Sequence, residues 1–188
     1  MDKIGGGMGM FLELVKKRRS VRDFSPRAVE REKIELCLEA ARLAPSACNG
    51  QPWRFLVFDQ PEKKADLVRA AASGLYRTSG FISRAPVIIV ALSLRGKILP
   101  GLAGRFQGKH YPLIDLGIAV EHLVLQAAEA GLGTCWVGWF NGPAVKKLLG
   151  LPKGETPIAL IPLGYPAEEK SASPSRKGLE EIAAFNPD

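Results

Sequence analysis

Ala44-Pro45-Ser46-Ala47-Cys48-Asn49-Gly50-Gln51-Pro52-Trp53 is the stretch on which the reading of this chain turns. Pro, Ser, Asn and Gly are common turn residues, so its plainest reading is a loop between a helix and a strand. That reading does not account for Gln51 and Trp53 arriving together. A loop presenting amides beside a proline and a tryptophan can embrace a flat heteroaromatic ring, binding its edge and covering its face. Before the loop, Glu30–Leu43 carries Ile34, Cys37, Leu38 and Ala41 at i, i+3, i+4 and i+7, a helix that Pro45 ends. After it, Arg54–Asp59 reads as a strand and Pro61–Ala72 as a helix.

Toward the N-terminus, residues 10–19 read as a first helix with Phe11, Leu14, Val15 and Arg18 on one side, and Ser25-Pro26 breaks the chain after it. That helix runs into Lys17-Arg18-Arg19-Ser20-Val21-Arg22. Cations at a helix carboxyl end interact well with its dipole, so one reading is a solvated, capped terminus. The other is a phosphate grip, in which planar guanidinium forks and the Ser20 hydroxyl bind phosphate oxygens.

Toward the C-terminus, Pro86–Ser93 is a near-continuous β-branched run and reads as a buried strand. Leu113–Ala130 is the longest helix, closed by Gly131 at the C′ position. Asp115, His122, Gln126 and Glu129 form one narrow polar stripe on it, and Glu121 is the one charge off that stripe. Such a helix belongs in a core or a subunit interface. The third informative segment is Gly131-Leu132-Gly133-Thr134-Cys135-Trp136-Val137-Gly138-Trp139-Phe140. Thr134–Trp139 reads as a core strand, and Gly138 inside it marks a place where a ligand can approach the backbone and accept its N–H. Asn141 caps a short helix ending at Gly150, Ile158–Gly164 is the last strand, and residues 165–188 are a polar tail. The mixture indicates an α+β layered domain.

Composition narrows the function classes. With 188 residues and 46% hydrophobic content, one domain over residues 11–188 is expected, preceded by a loose glycine-rich tail, Met1–Met10. A Lys-Arg cluster follows the early apolar patch Phe11–Val15, which does not suit a secretory signal. The longest apolar run, Ala85–Leu92, falls far short of the roughly 20 residues needed to span a bilayer. A cytoplasmic protein without membrane contact is expected. Three cysteines without a CxxC pair and two histidines make a metal site improbable, and Cys37, Cys48 and Cys135 read as buried free thiols. The net charge is +7, and two small basic clusters, around Arg18 and at Arg176-Lys177, suit a phosphate better than a nucleic acid. Within Ser73–Pro112, the residues Arg84, Arg95, Lys97, Arg105, Lys109 and His110 read either as a solvated loop, the simpler view, or as a basic lid over a substrate. No nucleophile–base pair or carboxylate dyad is visible, so no side chain is assigned as catalytic.

The Arg-Arg-Ser start, the Ala-Pro-Ser-x-x-Asn-x-Gln-Pro-Trp loop, the Asp115–Gly133 helix, the Trp136–Trp139 segment and the Arg176-Lys177 tail, in this order, resemble the nitroreductase family of FMN enzymes. The resemblance runs from about residue 11 to the end. It implies a mixed sheet flanked by helices, in an intertwined homodimer with an extended C-terminal tail, and FMN bound at the subunit interface. Arg18, Arg19 and Ser20 would hold the phosphate and ribityl chain, with Arg176 and Lys177 completing that site and Arg22 near the pyrimidine edge. Pro45, Ser46, Asn49 and Gln51 would reach the flavin from the loop, the first three from the partner subunit. Trp136, Val137, Gly138 and Trp139 would line the ring, with the Gly138 N–H near flavin N5. It further implies ping-pong transfer of electrons from NAD(P)H to a small-molecule acceptor such as a nitroaromatic or quinone. The absence of a GxGxxG fingerprint agrees with a nicotinamide that docks transiently. An asparagine–lysine pair that some branches direct at the pyrimidine has no counterpart in this sequence. Flavin fragmentation, reductive dehalogenation and non-enzymatic binding are the alternatives.

Overall fold

A computed structural model describes residues 9–95, 108–168 and 174–186. Its sheet joins β1 (Trp53–Phe58), β2 (Val87–Leu94), β4 (Glu155–Gly164) and β3 (Gly133–Thr134) in that order, each neighbouring pair antiparallel. A parallel bridge from Ser20 to Thr134 extends the β3 edge and gives the sheet its mixed character. The helices are α1 (Met10–Lys17), α2 (Arg31–Arg42), α3 (Pro61–Ala71), α4 (Tyr111–Glu129), α5 (Gly142–Leu148) and the short α6 (Leu179–Ile182).

The apolar run of β2 follows from burial on both faces. Val87, Ile89 and Ala91 pack with Ile34 and Cys37 of α2 and Leu116, Val120 and Leu123 of α4. Ile88, Val90 and Leu92 pack on the other side with Leu67 of α3, Val145 of α5, and Ile82 and Phe140. A strand with helices on both faces has no polar side to alternate with. Burying each such Val, Leu or Ile side chain contributes about 1.5–3 kcal/mol. β4 is buried from Ala159 to Gly164, and a register shift opposite Ala91 and Leu92 bulges it at Ile158.

The strand expected over Thr134–Trp139 is broken. Gly133 and Thr134 pair with Gly164 and Leu163, and Val137 exchanges both backbone hydrogen bonds with Leu160 in the same register, at 3.0 and 2.9 Å. Between them Cys135 faces Pro162, whose ring nitrogen carries no hydrogen and interrupts the ladder. Gly138 consequently lies beyond the strand, exposed, rather than inside it. α1 stops at Lys17, two residues before the expected end, and β4 starts at Glu155, three residues before the expected Ile158. α4 begins at Tyr111 because Pro112 is tolerated in a first turn. Its predicted closure holds, with Gly131 at φ +76° just past the cap residue Ala130. Cys37 and Cys135 are buried, but Cys48 is exposed, because it sits on the loop before β1 rather than on an inward helix face. In the 73–112 region, Gly74–Arg84 is a 3-10 stretch, while Lys97 and Arg105 lie outside the described residues. No helix among the described residues is long and apolar enough to cross a membrane.

Candidate functional site

The basic run leaves α1 at Lys17 and turns along the sheet edge. The Val21 N–H donates to the Thr134 carbonyl at 2.8 Å, and the Ser20 bridge stands beside it. Gly133 makes this approach possible, since a Cβ there would stand 2.6 Å from Val21 Cγ2. Arg19 folds back, its Nη1 donating to the Lys16 carbonyl and to that of Arg18. Arg18 approaches Glu121, the charge off the polar stripe of α4, at 3.9 Å. A cavity of about 610 Å³ opens here, where Arg18 and Arg19 face Gly131–Thr134, with Tyr165 and Pro166 beyond. Arg22 stays exposed, close enough to Cys135 to oppose the burial that raises that thiol's pKa.

Around the Val137–Leu160 bridge, the chain presents a shelf. Trp136 is 43% exposed and Trp139 61%, with exposed Gly138 between them and Val137 buried beneath. Apart from its two chain neighbours, a Cβ added at Gly138 would meet, among the described residues, only Trp136 Nε1, at 4.0 Å, so the shelf is open above its backbone. The Gly138 N–H donates to no acceptor among the described residues. An exposed donor flanked by two indoles suits a flat ring with an acceptor nitrogen.

The Ala44–Trp53 loop is a tightly specified turn. Cys48, Asn49 and Gln51 all have left-handed backbones, at φ 51°, 50° and 46°. Ser46 holds them, its Oγ accepting from the Gln51 N–H at 2.9 Å and its carbonyl from the Asn49 N–H at 3.0 Å. Gln51 Nε2 donates to Asn49 Oδ1 at 3.0 Å, so the two amides form one exposed unit. Pro45 is exposed beside them. The loop is tied to α4, where buried Asp115 accepts the Ala47 N–H at 3.2 Å.

One chain therefore joins the Arg18–Ser20 run and the Trp136–Trp139 shelf along the β3 edge. The cavity lining takes in Arg18 and Arg19, and not Ser20, Arg22, the Trp136–Trp139 shelf, the Pro45–Gln51 loop or Arg176 and Lys177. Arg176 is exposed, and its Nη1 donates to the Ser175 carbonyl.

The sequence model of the nitroreductase family matches residues 15–165, four-fifths of the chain and all four strands. The chain belongs to the nitroreductase family. A Methanothermobacter thermautotrophicus protein, provisionally named an NADH dehydrogenase/NAD(P)H nitroreductase, is 31% identical over 179 residues, covering 90% of this chain and 86% of its own. The iodotyrosine deiodinase of Haliscomenobacter hydrossis is 30% identical over 183 residues, covering 84% of this chain and 80% of its own. Among solved structures, the FMN-dependent nitroreductase of Clostridium difficile R20291 superposes with a TM-score of 0.75 at 29% identity, covering 93% of this chain and 98% of its own.

Two residues of this nitroreductase-family site carry weight that the sequence reading did not give them. Asp115 looked like one member of a polar stripe, yet it anchors the Ala44–Trp53 loop. Tyr76 stacks on Trp139, ring centroids 5.0 Å apart and tilted by 47°. An aromatic residue in the Gly- and Ser-rich stretch 73–80 was the available signal, and its meaning depended on a partner 63 positions away.

Proposed function

We propose that the protein is an FMN-dependent oxidoreductase that takes hydride from NAD(P)H and reduces nitroaromatic or quinone-type acceptors, working as a homodimer. The observation that carries this reading is the open shelf at Gly138, an N–H without an acceptor among the described residues between two exposed tryptophans, on the same sheet edge as Arg18, Arg19 and Ser20. FMN fits these residues, with a cationic end for its phosphate and a flat apolar bed with one aimed donor for its ring. When bound, FMN supplies two-electron transfer between a nicotinamide and an acceptor.

The residues of the chain have separate tasks. Arg18, Arg19 and Ser20, with Arg176 and Lys177 from the tail, bind the phosphate by charge-assisted hydrogen bonds. Trp136, Val137, Gly138 and Trp139 set the plane of the ring and exclude water from one side. Arg22 places positive charge at the edge where reduction accumulates negative charge, lowering the cost of that charge. Pro45, Ser46 and Asn49 cover the ring from the partner subunit, with Gln51 on the same loop, which accounts for the absence of that loop from the cavity lining within one chain.

The test is direct. The purified protein is expected to be yellow, to release FMN rather than FAD on denaturation, and to oxidise NAD(P)H in the presence of a nitroarene. A preparation that takes up no flavin after reconstitution overturns the reading. A second reading, reductive dehalogenation, is favoured by the deiodinase relative. Halide release from a halophenol exceeding the rate of nitroarene reduction would put it first.

A further inference from the structure

None of the residues assigned above to the flavin lies in the stretch Gly74–Arg84, yet it is fixed against the shelf. Asn141 donates through its backbone N–H to the Ala71 carbonyl and through Nδ2 to Ser73 Oγ, both at 2.8 Å. The chain two residues past Trp139 is thereby bonded to the start of the 3-10 stretch, and Tyr76 is held at stacking distance from Trp139. Tilted aromatic pairs at this separation attract beyond their area of contact. Trp139 keeps most of its indole exposed despite the contact, and Leu75 beside Tyr76 is exposed as well. The result is an aromatic wall rising next to the open backbone at Gly138.

The charge around this wall is one-sided. From residue 67 to 114 the sequence has seven lysines and arginines and no aspartate or glutamate. Arg69 is paired with Asp66 at 3.3 Å and Arg84 with Asp23 at 3.2 Å. Arg77, next to Tyr76, is exposed and makes no ion pair among the described residues. A flat aromatic surface rewards a planar ligand, and an exposed cation on the next residue of the chain rewards a negative charge on that ligand.

We propose that Tyr76 and Arg77 select the electron acceptor, a planar aromatic molecule bearing a negative charge such as a carboxylate. The proposal rests on the oxidoreductase reading above and names the substrate class of that site. With a nitroarene carboxylate, the hydride of NAD(P)H and one solvent proton reduce the nitro group to nitroso. One N–O bond breaks, water leaves, NAD(P)⁺ is released, and the carboxylate is unchanged.

The experiment compares 4-nitrobenzoate with the neutral 4-nitrobenzamide on the FMN-loaded protein. The benzoate is expected to show kcat/KM about tenfold higher at low ionic strength, a preference that collapses near 0.5 M salt because the charge is solvent-accessible. Arg77→Ala is expected to abolish the preference while the rate of flavin reduction by NAD(P)H, measured without acceptor, is retained. Tyr76→Leu, which keeps bulk but loses the ring, is expected to raise KM for both acceptors alike, and Tyr76→Phe to restore it. Quenching of tryptophan fluorescence by each acceptor gives the same order without turnover. Equal kcat/KM for the two acceptors, or a preference unchanged in Arg77→Ala, overturns this proposal and leaves the oxidoreductase reading standing. An effect of Arg77→Ala confined to KM for NAD(P)H assigns the charge to the donor and also overturns it. Failure to bind flavin or oxidise NAD(P)H overturns the oxidoreductase reading and the proposal with it.

Discussion

At the scale of single residues, Gly133 and Gly138 give opposite predictions although they lie five positions apart. Gly138 has room above it, so Gly138→Val is expected to leave the melting temperature of the flavin-free protein unchanged. The added methyl groups would occupy the shelf, so FMN affinity should fall by tenfold or more. Gly133→Ala forces its Cβ against Val21, and overpacking of this kind costs about 1–3 kcal/mol. Thermal unfolding with FMN titration separates the two, and a destabilised Gly138→Val with normal FMN binding would refute the assignment. Arg18→Ala tests the other end. Its contact with half-exposed Glu121 at 3.9 Å is worth little to the fold. Losing one charge-assisted bond to phosphate costs about 1.5–3 kcal/mol, roughly ten- to a hundredfold in affinity. Turnover at saturating FMN should recover most of the wild-type rate, and a fully loaded but inactive Arg18→Ala would remove Arg18 from the phosphate site.

At the scale of elements, the Ala44–Trp53 loop and α4 act as a pair. Left-handed Cys48 and Gln51 each cost on the order of 1 kcal/mol, Asn49 less, and the loop keeps this shape only while its hydrogen bonds hold it. Asp115 is 5% exposed and supplies one of those bonds from α4. Asp115→Ala should therefore raise the reactivity of the Cys48 thiol and weaken FMN binding, while Asp115→Asn, which keeps a carbonyl acceptor, should largely restore both. Unchanged thiol labelling in Asp115→Ala would show that the loop does not depend on this anchor. The elements themselves were readable where their causes are local. The helical spacing of Ile34, Cys37 and Ala41, the two-sided apolar run of β2 and the cap at Asn141 all lie within a few residues of what they determine. The site was readable as motifs, and Arg18, Arg19 and Trp136–Trp139 do share one sheet edge. What escaped the sequence depends on residues far apart in the chain. The break after Thr134 is caused by Pro162 on another strand, the loop anchor joins Ala47 to Asp115, and the aromatic wall joins Tyr76 to Trp139.

At the scale of the molecule, two features tie the ends of the chain to the rest. Tyr165, just past β4, donates through its hydroxyl to Glu30 Oε2 at 2.6 Å, while Lys33 Nζ donates to the same hydroxyl at 2.8 Å and Arg27 lies over the ring. The Tyr165 bond, assisted by the Glu30 backbone, Arg27 and Lys33, holds the Glu30 carboxyl down to about 2. With the folded value below the ordinary 4.5, the stabilisation is complete above pH 4.5 and is lost as pH falls toward 2. Tyr165→Phe should thus be less stable than wild type at pH 6 and approach it near pH 2, and a constant gap in acid-unfolding curves would refute this.

The last feature concerns apolar surface. α1 buries none of its residues, Met10 is 92% exposed with Phe11 beside it, and Leu113 and Ile114 are exposed at the start of α4. Around α6, Leu179 and Ile182 are exposed and Phe185 is 88% so. Each such side chain forgoes about 1.5–3 kcal/mol of burial, more than a marginally stable domain leaves unclaimed without a partner. A second copy of the chain is the partner proposed above, with the tail after Tyr165 laid across it. Arg176 and Lys177 lie immediately before α6, so the contact that covers Leu179, Ile182 and Phe185 would also deliver the second cationic cluster to the phosphate. Replacing these three side chains with serine is therefore expected to yield monomer in sedimentation at micromolar concentration and to weaken FMN binding together, although no substituted residue touches the flavin. A wild-type protein that sediments as a monomer with its full complement of FMN would separate dimerisation from cofactor binding and sink the arrangement.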